Sequence, residues 1–533
     1  VNVTARLAWN SIVAWGSSLA GGVGGFLLVR YLIARLGIGE YGVTGLLDSL
    51  VVFAMLSDLG IRGALDRHLT EHMARGDHRR MNELLSIAAL CYVGIAAALT
   101  LVCWLCAEPL VQLFKIGGAE HATALWLVRL FVPAYTLTTF VGTSFRAVIE
   151  SRHRFDISDE IHTAEIIVRL LLIVAFIEMG WGLVGWAAGY LIAKMLAAVV
   201  CAVVAWRLEP AIAIGRGYLN WSVSGELFGL GSWMLLYQTV FRLNAQTDPF
   251  ILASFMGPIA VGFYKPAFWL MAAAQPFAGV LNRQLRPLAT NYFVQNRRDL
   301  LGELLIRGTR TSFVLSLPFV VVFTLFAHPL VALWLNDAQF GVTAWLLILW
   351  SLADLPANIG NAQFFVMLGM NRVRYLVTVQ TIAALVNVAA SIALVAWLVA
   401  RGASTNTCIL AIIVPTLIVA WIQRLVVSMH VAREIGLGLG RYFYHGYLPP
   451  LVVGACLALV GVVVRWALPH ATWPSLVLSV LLVGLAWLPM TWWLGFDDED
   501  RHRVRRLVSR RRQRRAAGDE VMREDEALQG TLD

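Results

Sequence analysis

Ionisable side chains lie inside an otherwise apolar chain. Arg30, Asp48, Asp58, Arg129, Glu165, Arg169, Lys194, Arg242, Asp248, Lys265 and Asp354 fall within or at the edges of long hydrophobic runs. In a bilayer each costs about 2.5–3.5 kcal/mol or more unless it faces a partner or a water-filled cavity. Some have a local answer. Glu165 and Arg169 are four apart on one helix and read as a structural pair. Asp58, Arg62 and Asp66 form a ladder at the end of their run, and Lys194 can snorkel together with Arg207. Others have none. Gln238, Arg242 and Gln246 recur every four residues, giving one polar stripe on a helix that also presents Trp233 and Tyr237. Asp248-Pro249 interrupts that helix, and Lys265 sits between Tyr264 and Pro266. Asp48 and Asp58 are ten residues apart, so they point only about 80° from one another and can face one cavity. Fixed cations in a membrane cavity suit a phosphate-bearing substrate, which arginine grips through two donors at once. Arg30, Arg242 and Lys265 are the candidates. The plainer alternative is that these charges pair between helices and hold them together.

The elements that must position these groups are legible from hydropathy. The chain has 533 residues, of which 59% are hydrophobic and 14% charged, with mean hydropathy +0.71. That balance is far from a soluble domain and describes an all-α polytopic membrane protein. About fourteen apolar spans are expected, at 9–33, 41–61, 84–107, 122–145, 162–180, 182–206, 225–254, 258–281, 306–327, 341–365, 373–399, 406–430, 446–467 and 474–494. The first run reads as a span, not a cleavable signal. Arginines follow the even-numbered spans, as at Arg62–Arg80, Arg146–Arg154, Arg283–Arg310 and Arg372–Arg374. The odd-numbered connections carry little beyond Arg35, Lys115 and Arg401. The positive-inside rule then puts both termini in the cytoplasm. Many of the 20 tryptophans lie near the ends of runs, as interfacial belts do.

An internal repeat at an offset of 220 residues organises the spans. AEPLVQLF at 107–114 matches AHPLVALW at 327–334, Glu83-Leu84-Leu85 falls on Glu303-Leu304-Leu305, and Arg152, Arg154 and Phe155 fall on Arg372, Arg374 and Tyr375. Gly37 falls on Gly257, with Tyr41 set on Tyr264 after a three-residue insertion. The expected organisation is two six-helix lobes in parallel pseudo-repeat, plus two C-terminal helices. The boundaries are 1–206 for the first lobe, 207–224 for a cytoplasmic linker, 225–430 for the second lobe and 431–496 for spans 13 and 14. Residues 497–533 are an Arg-rich then acidic tail, read as a lipid-surface anchor in preference to a nucleic-acid arm. Polar groups between two such lobes are the usual layout of an alternating-access transporter. Cys103 and Cys106 have CxxC spacing but no second pair or nearby His, so they read as packing residues. No nucleotide-binding loop, metal cluster or nucleophile–base pair is visible, so no cofactor, metal or catalytic residue is expected.

The segment LGIGEYGVTGLLDSLVVFAMLSDLGIRGALDR, 36–67, resembles the second-span region of bacterial O-antigen and exopolysaccharide flippases of the multidrug/oligosaccharidyl-lipid/polysaccharide exporter superfamily. Leu36-Gly37…Tyr41-Gly42 and Asp58-Leu59-Gly60-Ile61 carry the likeness, and Asp248…Met256-Gly257…Val261-Gly262-Phe263-Tyr264 also fits. The resemblance implies a V-shaped pair of bundles with a cavity lined by spans 1, 2, 7 and 8. It implies that undecaprenyl-diphosphate-linked oligosaccharide is turned from the cytoplasmic to the periplasmic leaflet of the bacterial inner membrane. On that reading Arg30, Arg242 and Lys265 hold the diphosphate, and Trp233, Tyr237, Gln238, Gln246 and Tyr264 line the sugar cavity. Asp48, Asp58 and Asp248 are candidates for coupling or gating. Partners would be membrane lipids and the polymerase and chain-length machinery of polysaccharide synthesis, with no nucleic acid. Two other readings compete: an ion-coupled drug exporter, which needs an acidic cavity, and a membrane polymerase or ligase, which needs catalytic groups on a sizeable external loop.

Overall fold

The computed structural model describes residues 3–118, 120–228, 232–279, 285–470, 472–496 and 501, with side chains from residue 21 onward except at 228, 232, 234 and 276–279. Apart from Arg501, the expected lipid-anchoring tail lies outside them. Every regular element among the described residues is helical. The first part of the chain forms α1 (Val3–Ala54), α2 (Ile61–Arg75), α3 (His78–Leu113), α4 (Glu120–Trp126), α5 (Val132–Ser151), α6 (Phe155–Glu178) and α7 (Gly182–Leu208). After a linker with the short α8 (Ser224–Phe228) come α9 (Ser232–Met256), α10 (Pro258–Gly279), α11 (Leu285–Val294), α12 (Arg298–Leu335) and α13 (Gly341–Gly369). The chain continues with α14 (Val373–Ala400), α15 (Thr405–Ala411), α16 (Ile413–Glu434), α17 (Leu439–Gly446), α18 (Leu448–Ala467) and α19 (Trp473–Met490).

Among the described residues, ten helical stretches are long and apolar enough to cross a membrane, so this is a multi-pass membrane protein. One stretch, Gly21–Asp58, contains a break. Gly37 inside α1 has φ 80° and ψ 170°, a conformation open to glycine and closed to residues with a Cβ. Gly257, 220 residues on, has φ 80° between α9 and α10. The coincidence extends further. α3 starts at His78 and α12 at Arg298, each contains a proline near its far end (Pro109 and Pro329), and each follows a positive-φ residue (Gly76 and Asn296).

The two turns also touch. A Cβ on Gly42 would overlap the carbonyl oxygen of Pro258, and one on Gly262 would lie 2.5 Å from the carbonyl oxygen of Ile38. Ile38 corresponds to Pro258 and Gly42 to Gly262 at an unbroken offset of 220. Tyr41 therefore corresponds to Val261, and the three-residue insertion expected from the sequence is not needed. Each turn packs the other's glycine against its own carbonyl, so the contact is reciprocal.

The apolar core follows from this contact. One cluster joins both parts of the chain around the turns, running through Leu46, Leu47, Leu252, Val261, Tyr264 and Trp334. Trp334 stacks on Phe26 at 4.6 Å and donates through Nε1 to the Phe26 carbonyl at 2.8 Å. Toward the arginine-rich end the core divides. One cluster serves the first part, with Leu65, Leu69, Leu84 and Tyr92. The other serves the second part and the C-terminal helices, with Phe313, Phe326, Tyr442 and Leu457. α18 and α19 are seated on α12, where Trp487 donates to the carbonyl of Val314 at 3.0 Å.

Because the turn contact leaves no room for a methyl group, Gly42→Ala and Gly262→Ala are each expected to destabilise the fold by about 1–3 kcal/mol through overpacking. Gly94→Ala, at a position with open space around it, is expected to be neutral. Thermal unfolding of the detergent-solubilised variants by intrinsic tryptophan fluorescence checks this.

Candidate functional site

Just inside the turn contact, Gly45 leaves room for Lys265. A Cβ at Gly45 would lie 2.7 Å from Lys265 Cγ. The lysine side chain crosses the glycine, donates to Ser49 Oγ at 2.9 Å and reaches Asp48 Oδ2 at 3.5 Å. Its ammonium lies 5.3 Å from the Phe268 ring centroid. Ser49 in turn donates to Gln246 Oε1 at 3.0 Å, so the second limb of α1 is tied to both α9 and α10. The lysine side chain is 4% exposed while that of Asp48 is 46% exposed, so the buried cation is neutralised from an open edge. On the same pair of helices, Tyr264 donates to the buried Asp248 at 3.1 Å and meets Trp350 edge-on at 6.1 Å.

At the arginine-rich end a cavity of about 630 Å³ separates the two parts of the chain. Asp58, Arg62 and Arg67 line it from one side, and Gln238, Arg242 and Arg286 from the other. Leu59 and Gly60, both with left-handed backbone, turn the chain sharply between Asp58 and α2 and set the arginines of α2 beside the cavity. Asp58 accepts a 2.6 Å hydrogen bond from Tyr92. Four arginines and one aspartate thus line the cavity, a setting that favours an anion with several oxygens.

A second cavity, of about 640 Å³, lies at the turn end and is lined by Arg30, Gly37, Gly39, Asn336, Asp337 and Gln339. The three cations that spacing grouped together therefore occupy three environments. Arg242 faces the basic cavity, Arg30 the polar one at the turns, and Lys265 a buried network between them. Of the expected sugar-lining residues, Gln238 lines the basic cavity, while Gln246 and Tyr264 belong to the buried network. Tyr237 instead stacks on Phe364 at 4.9 Å, and Trp233 lies 5.5 Å beneath the Arg374 guanidinium.

Other polar groups were not singled out by the sequence, or were read differently. Glu165 is bound by Lys194 at 2.7 Å, more closely than by Arg169 at 3.9 Å, and Arg169 lies over Tyr190 at 4.8 Å. Arg424 packs its guanidinium directly over Gly360 and donates to Gln363. Arg62, Arg67 and Arg286 carried a topological signal in the sequence, because they flank spans. Their convergence on one cavity depends on how the spans pack.

A profile of the family described as "Polysaccharide biosynthesis protein" matches residues 32–338, more than half of the chain and across both turns. The chain belongs to this family. A family relative named "Putative O-antigen transporter", from Shigella flexneri, is 20% identical over 312 residues, covering 58% of this chain and 71% of the relative. "Probable flippase AglR" from Haloferax volcanii is 24% identical over 345 residues, covering 62% and 65% of the two chains. Among solved structures, the inward closed conformation of the lipid II flippase MurJ superposes with TM-score 0.68 at 14% identity, over 90% of this chain and 97% of the other. An inward-facing multidrug resistance MATE transporter of the MOP superfamily gives 0.61 at 12% identity, over 79% and 98%. At these identities the superpositions show the fold: the chain shares the MurJ/MATE architecture.

The Lys265–Asp48 contact is checked by a double-mutant cycle. Asp48→Asn and Lys265→Met are expected to show coupling of about 0.5–3 kcal/mol in unfolding free energy, as contacting residues do. Asp48→Asn alone is expected to be the more damaging change, because it leaves the lysine buried without its counter-charge.

Proposed function

We propose that this protein is a flippase that moves a lipid-linked oligosaccharide, carried on a polyprenyl diphosphate such as undecaprenyl diphosphate, across the bacterial cytoplasmic membrane for surface-polysaccharide synthesis. The basic cavity carries the reading. Four arginines and one aspartate leave a surplus of three positive charges beside a space large enough for a diphosphate and its first sugar. The names of the O-antigen and flippase relatives and the fold shared with the lipid II flippase support it.

Fourteen spans fit the reading. The break at Gly37 divides one of the ten apolar stretches, and α6, α9 and α10, with 24, 25 and 22 residues, are long enough to cross. The recurrent backbone breaks at an offset of 220 support two six-span lobes with the last two spans attached to the second. Arginine-rich connections then face the cytoplasm, as do both termini. The basic cavity opens inward and the turn contact closes the outer side. Diphosphate enters at Arg62, Arg67, Arg242 and Arg286, the glycan occupies the space between lobes, and the lipid tail stays in the bilayer. Rocking of the lobes breaks the reciprocal glycine contact and the Lys265–Asp48–Ser49 network, so closure inside accompanies opening outside. Asp48, Asp58 and Asp248 remain the carboxylates available for coupling. A drug cation would meet repulsion at the basic cavity, which favours the anionic cargo.

Deletion of the gene is expected to abolish surface polymer and to trap the linked oligosaccharide on the cytoplasmic leaflet, read by lipid extraction and mass spectrometry. Normal polymer with no trapped intermediate would sink the flippase reading, and an intermediate already outside would move the assignment to polymerisation or ligation. In complementation, Arg242→Gln removes a charge-assisted bond worth about 1.5–3 kcal/mol and is expected to slow flipping on the order of tenfold. The variant should still reach the membrane at wild-type level.

A further inference from the structure

We propose that His68, His72 and Glu226 form a binding site for a divalent transition ion of the Zn²⁺ type, placed where the linker between the two parts of the chain docks on α2. His68 and His72 are one helical turn apart on α2, with ring centroids 6.4 Å from each other. Glu226 reaches them from α8. Its Oε2 is 3.0 Å from His72 Nε2 and 3.9 Å from His68 Nδ1, and one ligand atom from each residue lies within 4.8 Å of the others. Donors on a tetrahedral ion bound at about 2.0–2.1 Å are separated by about 3.4 Å. Side-chain shifts below an ångström bring the three donors onto such an ion.

The surrounding charges prepare the site. Each carboxylate gives one oxygen to an arginine and keeps the other for the histidines. Glu226 Oε1 binds Arg80 at 3.0 Å, leaving Oε2. Glu71 Oε1 binds Arg75 at 2.8 Å, while its Oε2 lies 3.5 Å from His68 Nδ1 at the edge of the site. Two imidazoles with a carboxylate oxygen suit Zn²⁺, and disfavour Mg²⁺, which prefers an all-oxygen octahedron. The side chains of His68, His72 and Glu226 are 14%, 11% and 25% exposed, so an ion there is partly shielded but reachable from solvent.

The rest of the linker is already pinned to the first part of the chain. Asn82 binds the backbone of Ala211 and Ala213, Ser86 that of Gly215, and Arg80 the hydroxyl of Ser222. Glu226 is the last of these ties before α9. An ion at this point fixes the linker to α2 at its junction with the second part of the chain, and so acts on the relative motion of the two. The linear sequence shows no metal cluster because Glu226 lies 154 residues from His72.

The test uses the full-length protein in detergent, purified without a histidine tag, stripped with EDTA and titrated calorimetrically with Zn²⁺ alone. One saturable equivalent per chain is expected, with affinity lowered at least tenfold in His68→Gln, His72→Gln and Glu226→Gln. Mg²⁺ should give no comparable event. Co²⁺ substitution should give d–d bands of nitrogen and oxygen ligation without thiolate charge transfer, which separates this site from the six free cysteines. Absence of saturable zinc binding by the folded wild-type protein overturns the proposal, whatever the variants do. Unchanged affinity in all three variants, or thiolate bands with Co²⁺, overturns it equally.

Discussion

The close approach of two backbone segments, Ile38–Gly42 and Pro258–Gly262, governs the architecture. In a bilayer, helices gain little from excluding water from one another and associate through tight packing of small residues. Here the packing is at its limit: each glycine faces a carbonyl of the other segment at a distance no Cβ would tolerate. Because the contact is reciprocal, it joins the two parts of the chain at one end, where the apolar core is continuous. It leaves them apart at the other, where the core is split in two and a basic cavity lies between.

The near-symmetry of this contact is broken one helical turn away, and that break sets the electrostatics. Positions 45 and 265 correspond at the same offset, yet one is glycine and the other lysine. Only one long side chain fits between the limbs. Lys265 fills the space that Gly45 leaves and finds Ser49 and Asp48 on the opposing helix. A charge that would be prohibitive against lipid becomes a bridge between helices far apart in the chain. The other intramembrane charges are handled by equally specific means. Glu165 is flanked by Lys194 and Arg169, Asp248 accepts from Tyr264, and Arg424 is accommodated by Gly360 and Gln363.

This division explains why the candidate site was only partly legible. Spacing along one helix correctly associates residues that share a face, so Gln238 and Arg242 do line one cavity. It carries no information about which other helices meet that face. Arg30, Arg242 and Lys265 share a charge and an intramembrane position, but packing sends them to the turn end, the arginine-rich end and the interior between. Arg62, Arg67 and Arg286 read as topology markers, and they become cavity walls because Leu59 and Gly60 turn the chain there and α11 packs opposite.

What the sequence determined by itself are the properties that depend on neighbours along the chain. The apolar runs dictate helices in a membrane, since only hydrogen bonds within the segment can satisfy the backbone there. Gly37 marks a break between two apolar runs, and the 220-residue offset returns the same break at Gly257. The tertiary structure alone decided which side chains share a space. The ion pair of Asp48 with Lys265 spans 217 residues, and the junction of His72 with Glu226 spans 154. Such pairs form because helices pack and exclude solvent around them. Burial and proximity of that kind are properties of the packed bundle, and no local periodicity encodes them.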